Sequence, residues 1–127
     1  MSVDEAVARR PESAGASRLQ VLHEATVVQY EQRGAWVISA RGSYDMSTVA
    51  PLADALDTAA EQHRKVVLDA SGITFADSAL LNLLILTHQA ADFRVAAPAR
   101  QVRRLLQLTA VDTILQVRET VEEAAAC

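Results

Sequence analysis

The chain has little of what usually announces catalysis, metal binding or membrane insertion. Its 127 residues include one cysteine, three histidines, four glycines and 4% aromatics. Cys127, the last residue, has no second cysteine to pair with, which fits a reducing compartment. His23, His63 and His88 are scattered and lack metal-ligand spacing, so no metal is expected. With so few glycines there is no phosphate-cradling loop, and no cofactor or nucleotide chemistry is expected. Asp77, Ser78 and His88 are triad residue types, but an adjacent Asp-Ser and a histidine far along the same segment put no base on the hydroxyl. The glycine frame of a nucleophile elbow is also missing. The expectation is therefore a protein that is not an enzyme.

Two further shortages narrow the partners. The longest apolar stretch, Ala79 to Leu86, is interrupted by Asn82 and falls short of the roughly 20 residues needed to span a bilayer. The first residues carry Asp4, Glu5, Arg9 and Arg10 where an export signal needs an apolar core. Lys and Arg number 12 against 16 Asp and Glu, a net charge of -4. Nucleic acid and anionic membranes attract an excess of basic residues, so the expected partner is another protein and the expected compartment the cytoplasm.

What the chain does have is aliphatic residues: half of it is hydrophobic, enough for the core of one ordinary domain. Residues 1–20 mix charge with Pro11, Ser13, Gly15 and Ser17 and show no apolar period, which predicts a flexible tail before a domain over 21–127. Val21 to Tyr30 and Ala35 to Ala40, split by Gln32-Arg33-Gly34, read as a β-hairpin. Trp36 on its second strand reads as core or rim packing. Val49, Leu52, Ala53, Leu56, Ala59 and Ala60 recur at three- and four-residue spacing, which predicts a helix starting near Thr48, capped by Ser47 or Thr48 with Pro51 in its first turn. Lys65 to Ala70 reads as a buried strand broken by Ser71-Gly72. Ser78 to Ala91 reads as a helix, Arg94 to Ala97 as a strand, and Pro98 as the opening of a helix carrying Val102, Leu105, Leu106 and Thr109 on one face. A strand near Ile114 to Val117 and a short helix after Thr120 finish the chain. The predicted fold is α/β, order β-β-α-β-α-β-α-β-α: a mixed sheet of four to five strands covered by about four helices.

Gly42-Ser43-Tyr44-Asp45, and more specifically Val66-Val67-Leu68-Asp69 followed by Ile73-Thr74-Phe75-Ala76-Asp77-Ser78, resemble the STAS domain family, in particular its bacterial anti-sigma factor antagonists. The stretch from Ala99 to Val111 is similar to the family's following helix. The resemblance implies a regulator of transcription by partner switching. An antagonist of this type binds an anti-sigma factor that is also a GHKL-type kinase, and phosphorylation of the serine after the aspartate, here Ser78, releases it. A PP2C-type phosphatase is the implied counterpart of the kinase. The implied partner surface is Asp45, Asp77, Ser78, Ala79, Leu80, Asn82 and Leu83, and a homodimer is a further implied assembly. STAS domains also serve, without phosphorylation, as subunits of stress-signalling scaffolds or lipid-transport complexes, and that is the second implied function.

The residues have their own physical reading. A serine at the N-cap of a helix contributes about 1 kcal/mol by accepting a first-turn N–H, which explains Ser78 without signalling. The same place tolerates a phosphate, because the positive helix end and its open N–H groups favour an anion. Asp77 reads either as a loop-stabilising Asx residue or as a partner contact. Ala79-Leu80 stand where the resembled family has Ser/Thr-Gly, and Asn82 where it has a second glycine. Each lost glycine firms the helix by roughly 1 kcal/mol. Leu80, Leu81, Leu84 and Ala91 share one side of that helix, and Ala79, Leu83, Leu86 and Ala90 another. The second side packs on a neighbouring helix or, if exposed, meets a partner. Arg100, Arg103 and Arg104 form a basic face that suits solvent or an acidic partner.

Overall fold

The computed structural model describes residues 25–126, so the expected tail and the stretch 21–24 of the first strand lie outside the described residues. Two strands, β1 (Thr26–Gln32) and β2 (Ala35–Tyr44), form the expected hairpin in antiparallel register from Thr26 opposite Arg41 to Gln32 opposite Ala35. The loop is the pair Arg33-Gly34, with φ of 53 and 80, both left-handed as a tight loop matching strand twist requires. A Cβ on Gly34 would meet nothing within 4 Å, so backbone conformation alone calls for glycine there.

From β2 the chain alternates with helices: α1 (Ala50–Gln62), β3 (Lys65–Ala76), α2 (Ser78–Ala90), β4 (Asp92–Ala96), α3 (Arg100–Leu108), a 3-10 turn (Val111–Thr113), β5 (Gln116–Arg118) and α4 (Val121–Ala126). The strands lie in the order β1-β2-β3-β4-β5, with β2 to β5 parallel. Three successive crossovers that step the same way along the sheet put α1, α2 and α3 on one face, as the shared hand of such connections requires. Under them Ile38, Val66, Leu68, Phe93 and Val95 meet Leu52, Leu56, Leu80, Leu84, Val102 and Leu106 in one core. On the other face Ala124 and Ala125 of α4 cover Val37, Val67 and Ala96. Burial on both faces is why Val66-Val67-Leu68 reads as an unbroken apolar run.

Element order and mixed sheet are as expected from the sequence; several boundaries differ. Ser71-Gly72 does not end β3, because β2 continues beside it and register shifts between Ser39 and Arg41 and between Gly42 and Ser43 absorb the irregularity. A Cβ at Gly72 would lie 2.7 Å from Arg41 Cγ, so close strand approach explains this glycine. Helix α1 has Val49 at its cap position with no side-chain cap, since Thr48 and Ser47 bond into the preceding turn instead. Helix α3 begins at Arg100, after Ala99, and buries Val102 and Leu106 while leaving Thr109 outside that set. The last strand begins at Gln116 because the 3-10 turn occupies the residues before it. Trp36 stacks on His63, ring centroids 4.5 Å apart, and donates to Gln29 Oε1, as a packing residue should.

Short α4 has too few turns to stand alone, and two cations hold it down. Arg94, buried in β4, donates to the Ala124 carbonyl at 2.8 Å, and Lys65 Nζ to the Ala125 carbonyl at 2.8 Å, both at the negative end of the helix. Asp92 balances Arg94 through two bonds of 3.1 Å. Removing Arg94 takes the charged donor from the Ala124 carbonyl at the buried end of this set, while exposed Asp92 keeps Gln116 and water, so Arg94→Ala is expected to cost about 2 kcal/mol, against about 1 kcal/mol for Lys65→Ala. Urea unfolding of both variants measures the difference; equal losses would contradict the clamp.

Candidate functional site

Parallel strands β2 and β3 stay paired to their last residues, Tyr44 opposite Ala76, whereas β4 accompanies β3 only as far as Asp69 opposite Ala96. The β2–α1 and β3–α2 turns therefore leave the sheet side by side, beyond the end of β4. Fully buried Tyr44 anchors the first of them by donating its phenol proton to the Thr26 carbonyl at 2.9 Å, and burial raises its pKa above that of a free phenol. Two aspartates, Asp45 and Asp77, open the turns.

The two carboxylates do different work. Asp77 has extended backbone, φ -127 and ψ -162, and caps α2: its Oδ1 accepts the Ala79 N–H at 2.9 Å, and its carbonyl accepts those of Leu80 and Leu81. The cap expected at Ser78 thus belongs to Asp77, an equally good capping residue one position earlier. Ser78 becomes the first helical residue, exposed, and its hydroxyl takes no hydrogen bond among the described residues. Asp45 stabilises its own turn by accepting from the Ser47 N–H at 2.9 Å and the Ser47 hydroxyl at 2.7 Å. The Thr48 hydroxyl accepts the Asp45 N–H at 2.9 Å and has the Ser43 carbonyl, at 2.8 Å, as the nearer of two acceptors for its proton. The Ser47 hydroxyl foremost, with the Ser47 N–H, holds the Asp45 carboxyl below the usual carboxylate range.

A third element fixes the Ser78 turn from outside. Gln101, on the first turn of α3, accepts the Ala76 N–H through Oε1 at 2.9 Å and donates Nε2 to the Ala76 carbonyl at 3.0 Å. This side chain supplies the bonds that a neighbouring strand would give, at the point where β4 has already ended.

The structure brings Asp45, Asp77, Ser78, Ala79 and Asn82 to one end of the sheet, with Ser78 and Asn82 exposed. It does not bring Leu80 and Leu83 to the surface: both are buried, so as partner contacts they are corrected to core residues beneath the site. Helix α2 packs on the sheet and on α1, which closes the second apolar side at Leu83 and leaves Leu86 open. Sequence reasoning missed Gln101 and Met46, and took Phe75 only as part of the motif, with no role at the surface. Met46 is 84% and Phe75 45% exposed, flanking the paired turns. An apolar residue between Asp45 and Ser47 is a signal that was available; nothing local marks Gln101, whose partner is 25 residues away. No group of three His, Cys, Asp or Glu among the described residues is placed to hold a metal ion.

Comparison with known proteins agrees with this architecture. The family model described as Mlab, STAS domain matches residues 27–117. The fold is similar to that of an anti-sigma factor antagonist from Mycobacterium paratuberculosis, with a TM-score of 0.74 at 24% identity over 82% of this chain and 93% of that one. It is also similar to an anti-sigma-factor antagonist (STAS) domain protein from Planctomyces limnophilus, with a TM-score of 0.70 at 20% identity over 79% and 95%. A third similar structure is the Bacillus cell fate determinant SpoIIAA in its phosphorylated form, with a TM-score of 0.60 at 19% identity over 78% and 96%.

Two outcomes follow from this geometry. Gln101→Ala leaves both backbone groups of buried Ala76 without partners, and is expected to lower stability by about 1–2 kcal/mol and to speed amide exchange at Ala76 above the global rate. Unchanged exchange there would contradict the clamp. Because its pKa is depressed in the fold, Asp45 contributes stability above its unfolded pKa that is lost as pH falls through the folded one. Carboxyl NMR should find Asp45 titrating below an ordinary aspartate in the wild type and shifted back up in Ser47→Ala.

Proposed function

We propose, from the premise that this chain belongs to the STAS domain family, that it acts as an anti-sigma factor antagonist switched by phosphorylation of Ser78. The observation that carries this reading is the released Ser78 hydroxyl. With Asp77 supplying the cap, Ser78 is exposed at the first helical position and its hydroxyl is unbonded among the described residues, so a kinase can take it without dismantling the turn. The fold is shared with antagonists, and SpoIIAA adopts it in both unphosphorylated and phosphorylated forms.

Physical chemistry supports a switch at this point. A phosphate adds about -1.5 to -2 charge. The helix end offsets part of it, worth about 0.3–1 kcal/mol at an exposed site, while the neighbouring Asp77 carboxylate repels it. These opposed terms leave the fold largely intact and concentrate negative charge on a surface whose apolar contacts are Met46 and Phe75. A partner that packs on those side chains and on Ser78 loses binding through desolvation and repulsion. The kinase of this reading is an anti-sigma factor of the GHKL type, its reversal a PP2C-type phosphatase, and its setting the cytoplasm.

A second reading, a STAS subunit that is never phosphorylated, in a stress-signalling scaffold or a lipid-transport complex, is favoured by Ala79-Leu80. Buried Leu80 makes the start of α2 part of the core rather than a loose segment offered to a kinase.

One experiment separates the two. Incubation with ATP and the cognate anti-sigma factor kinase is expected to modify Ser78 alone, mapped by mass spectrometry, and Ser78→Ala to abolish it. In binding assays Ser78→Asp is expected to weaken the complex by about 10- to 100-fold while Ser78→Ala binds as the wild type does. Equal binding by both variants would decide for the unphosphorylated subunit.

A further inference from the structure

Beyond the end of β4, β3 runs on from Ala70 to Ala76 with its outer edge turned toward α3. Among the described residues the hydrogen bonds to that edge come at its two ends: the Ala99 N–H reaches the Ala70 carbonyl at 3.4 Å, and Gln101 holds Ala76. Between these contacts lies a groove of about 710 Å³. Ile73 and Thr74 form one wall, and Arg100, Arg103 and Arg104 rise from the other.

These arginines are in a costly place. Helix α3 carries three cations and no acidic residue, at i, i+3 and i+4 and toward its positive end, where like charges and the helix dipole both work against them. Arg103 is relieved by Glu119 at 3.1 Å. Arg100 and Arg104 are exposed and make no ion pair or hydrogen bond among the described residues. Packing does not demand them, since the buried residues of α3 are Val102 and Leu106.

We infer that this groove receives an extended acidic segment of the protein that docks on the Ser78 turn, laid along the free edge of β3 with its carboxylates on Arg100 and Arg104. The inference rests on the partner-docking reading of that turn. An open strand edge accepts a main chain by strand addition. The arginines then give charge selection and steer the approach. Continuity with the switch comes through Gln101, which lines the groove and holds the residue two before Ser78. A nucleic-acid strand fits less well, because no aromatic ring lines the groove to stack a base and the chain as a whole is acidic.

The test titrates the isotope-labelled full chain with a short capped peptide that alternates glutamate and valine, and with the same peptide carrying glutamine for glutamate. Shift changes are expected at residues 71–76 and 100–104 with the glutamate peptide, with binding that weakens as salt rises. Arg100→Gln combined with Arg104→Gln, both exposed and relieved of like-charge repulsion, is expected to hold or slightly raise the melting temperature and should weaken that binding on the order of tenfold. Equal binding of the glutamine peptide, undiminished binding by the double variant, or tighter binding of a single-stranded oligonucleotide would overturn the inference. The switch is scored separately against the anti-sigma factor. If Ser78→Asp releases it while the arginine variant holds it at wild-type strength, the groove is wrong and the switch stands. If the arginine variant releases it while Ser78→Asp does not, the groove stands and the switch is wrong.

Discussion

Parallel pairing of β2 with β3, carried past the end of β4 to Tyr44 and Ala76, is the constraint on which the rest of the site depends. It delivers two turns to one end of the sheet and removes the neighbouring strand that would have covered them. Everything exposed there follows from that overhang: the Asp45 turn, the Asp77 cap with Ser78 behind it, and a strand edge hydrogen-bonded at one end by Ala99 and at the other by Gln101 of α3. Chain ends at the carboxyl side of parallel strands are a common place for binding sites for this topological reason.

Fixing such an overhang takes hydrogen bonds that ordinary sheet pairing no longer supplies. Here a side chain, Gln101, completes the last residue of β3, and a phenol, Tyr44, ties the last residue of β2 to the start of β1. Both hold backbone at the strand ends that lead into the exposed residues Met46, Phe75 and Ser78. Electrostatics divides that surface: two aspartates open the turns, and arginines of α3 stand across the groove. The acidic balance of the chain makes this basic wall a local exception rather than part of a general charge.

Much of this was legible in the sequence because it rests on local periodicity. The three- and four-residue spacing of Leu52, Leu56 and Ala59 and the run Val66-Val67-Leu68 report burial directly, and the order of elements follows from them. Ser78 stood out as a candidate through the run Phe75-Ala76-Asp77-Ser78, but its role in the helix was assigned one residue off. Capping preferences do not distinguish aspartate from serine at adjacent positions; backbone angles do. The length of β3 was hidden because Ser71-Gly72 reads as a break unless the partner strand is seen to bulge with it. Leu80 entered the implied partner surface by its place in the resembled turn, and Leu83 because an all-round apolar helix does not say which sides are covered; both are buried. Gln101 was out of reach altogether, its meaning lying in a contact made across the fold.

The central claim is that this frame keeps its shape when the charge on it changes. Its most direct test compares amide exchange across the chain, unmodified and carrying phosphoserine at position 78. The account predicts changes confined to residues 44–48 and 75–82, with core amides of β2, β3 and β4 protected equally in both. Loosened protection across those strands would show that the added charge acts by unfolding the domain rather than by altering its surface, and would contradict the account.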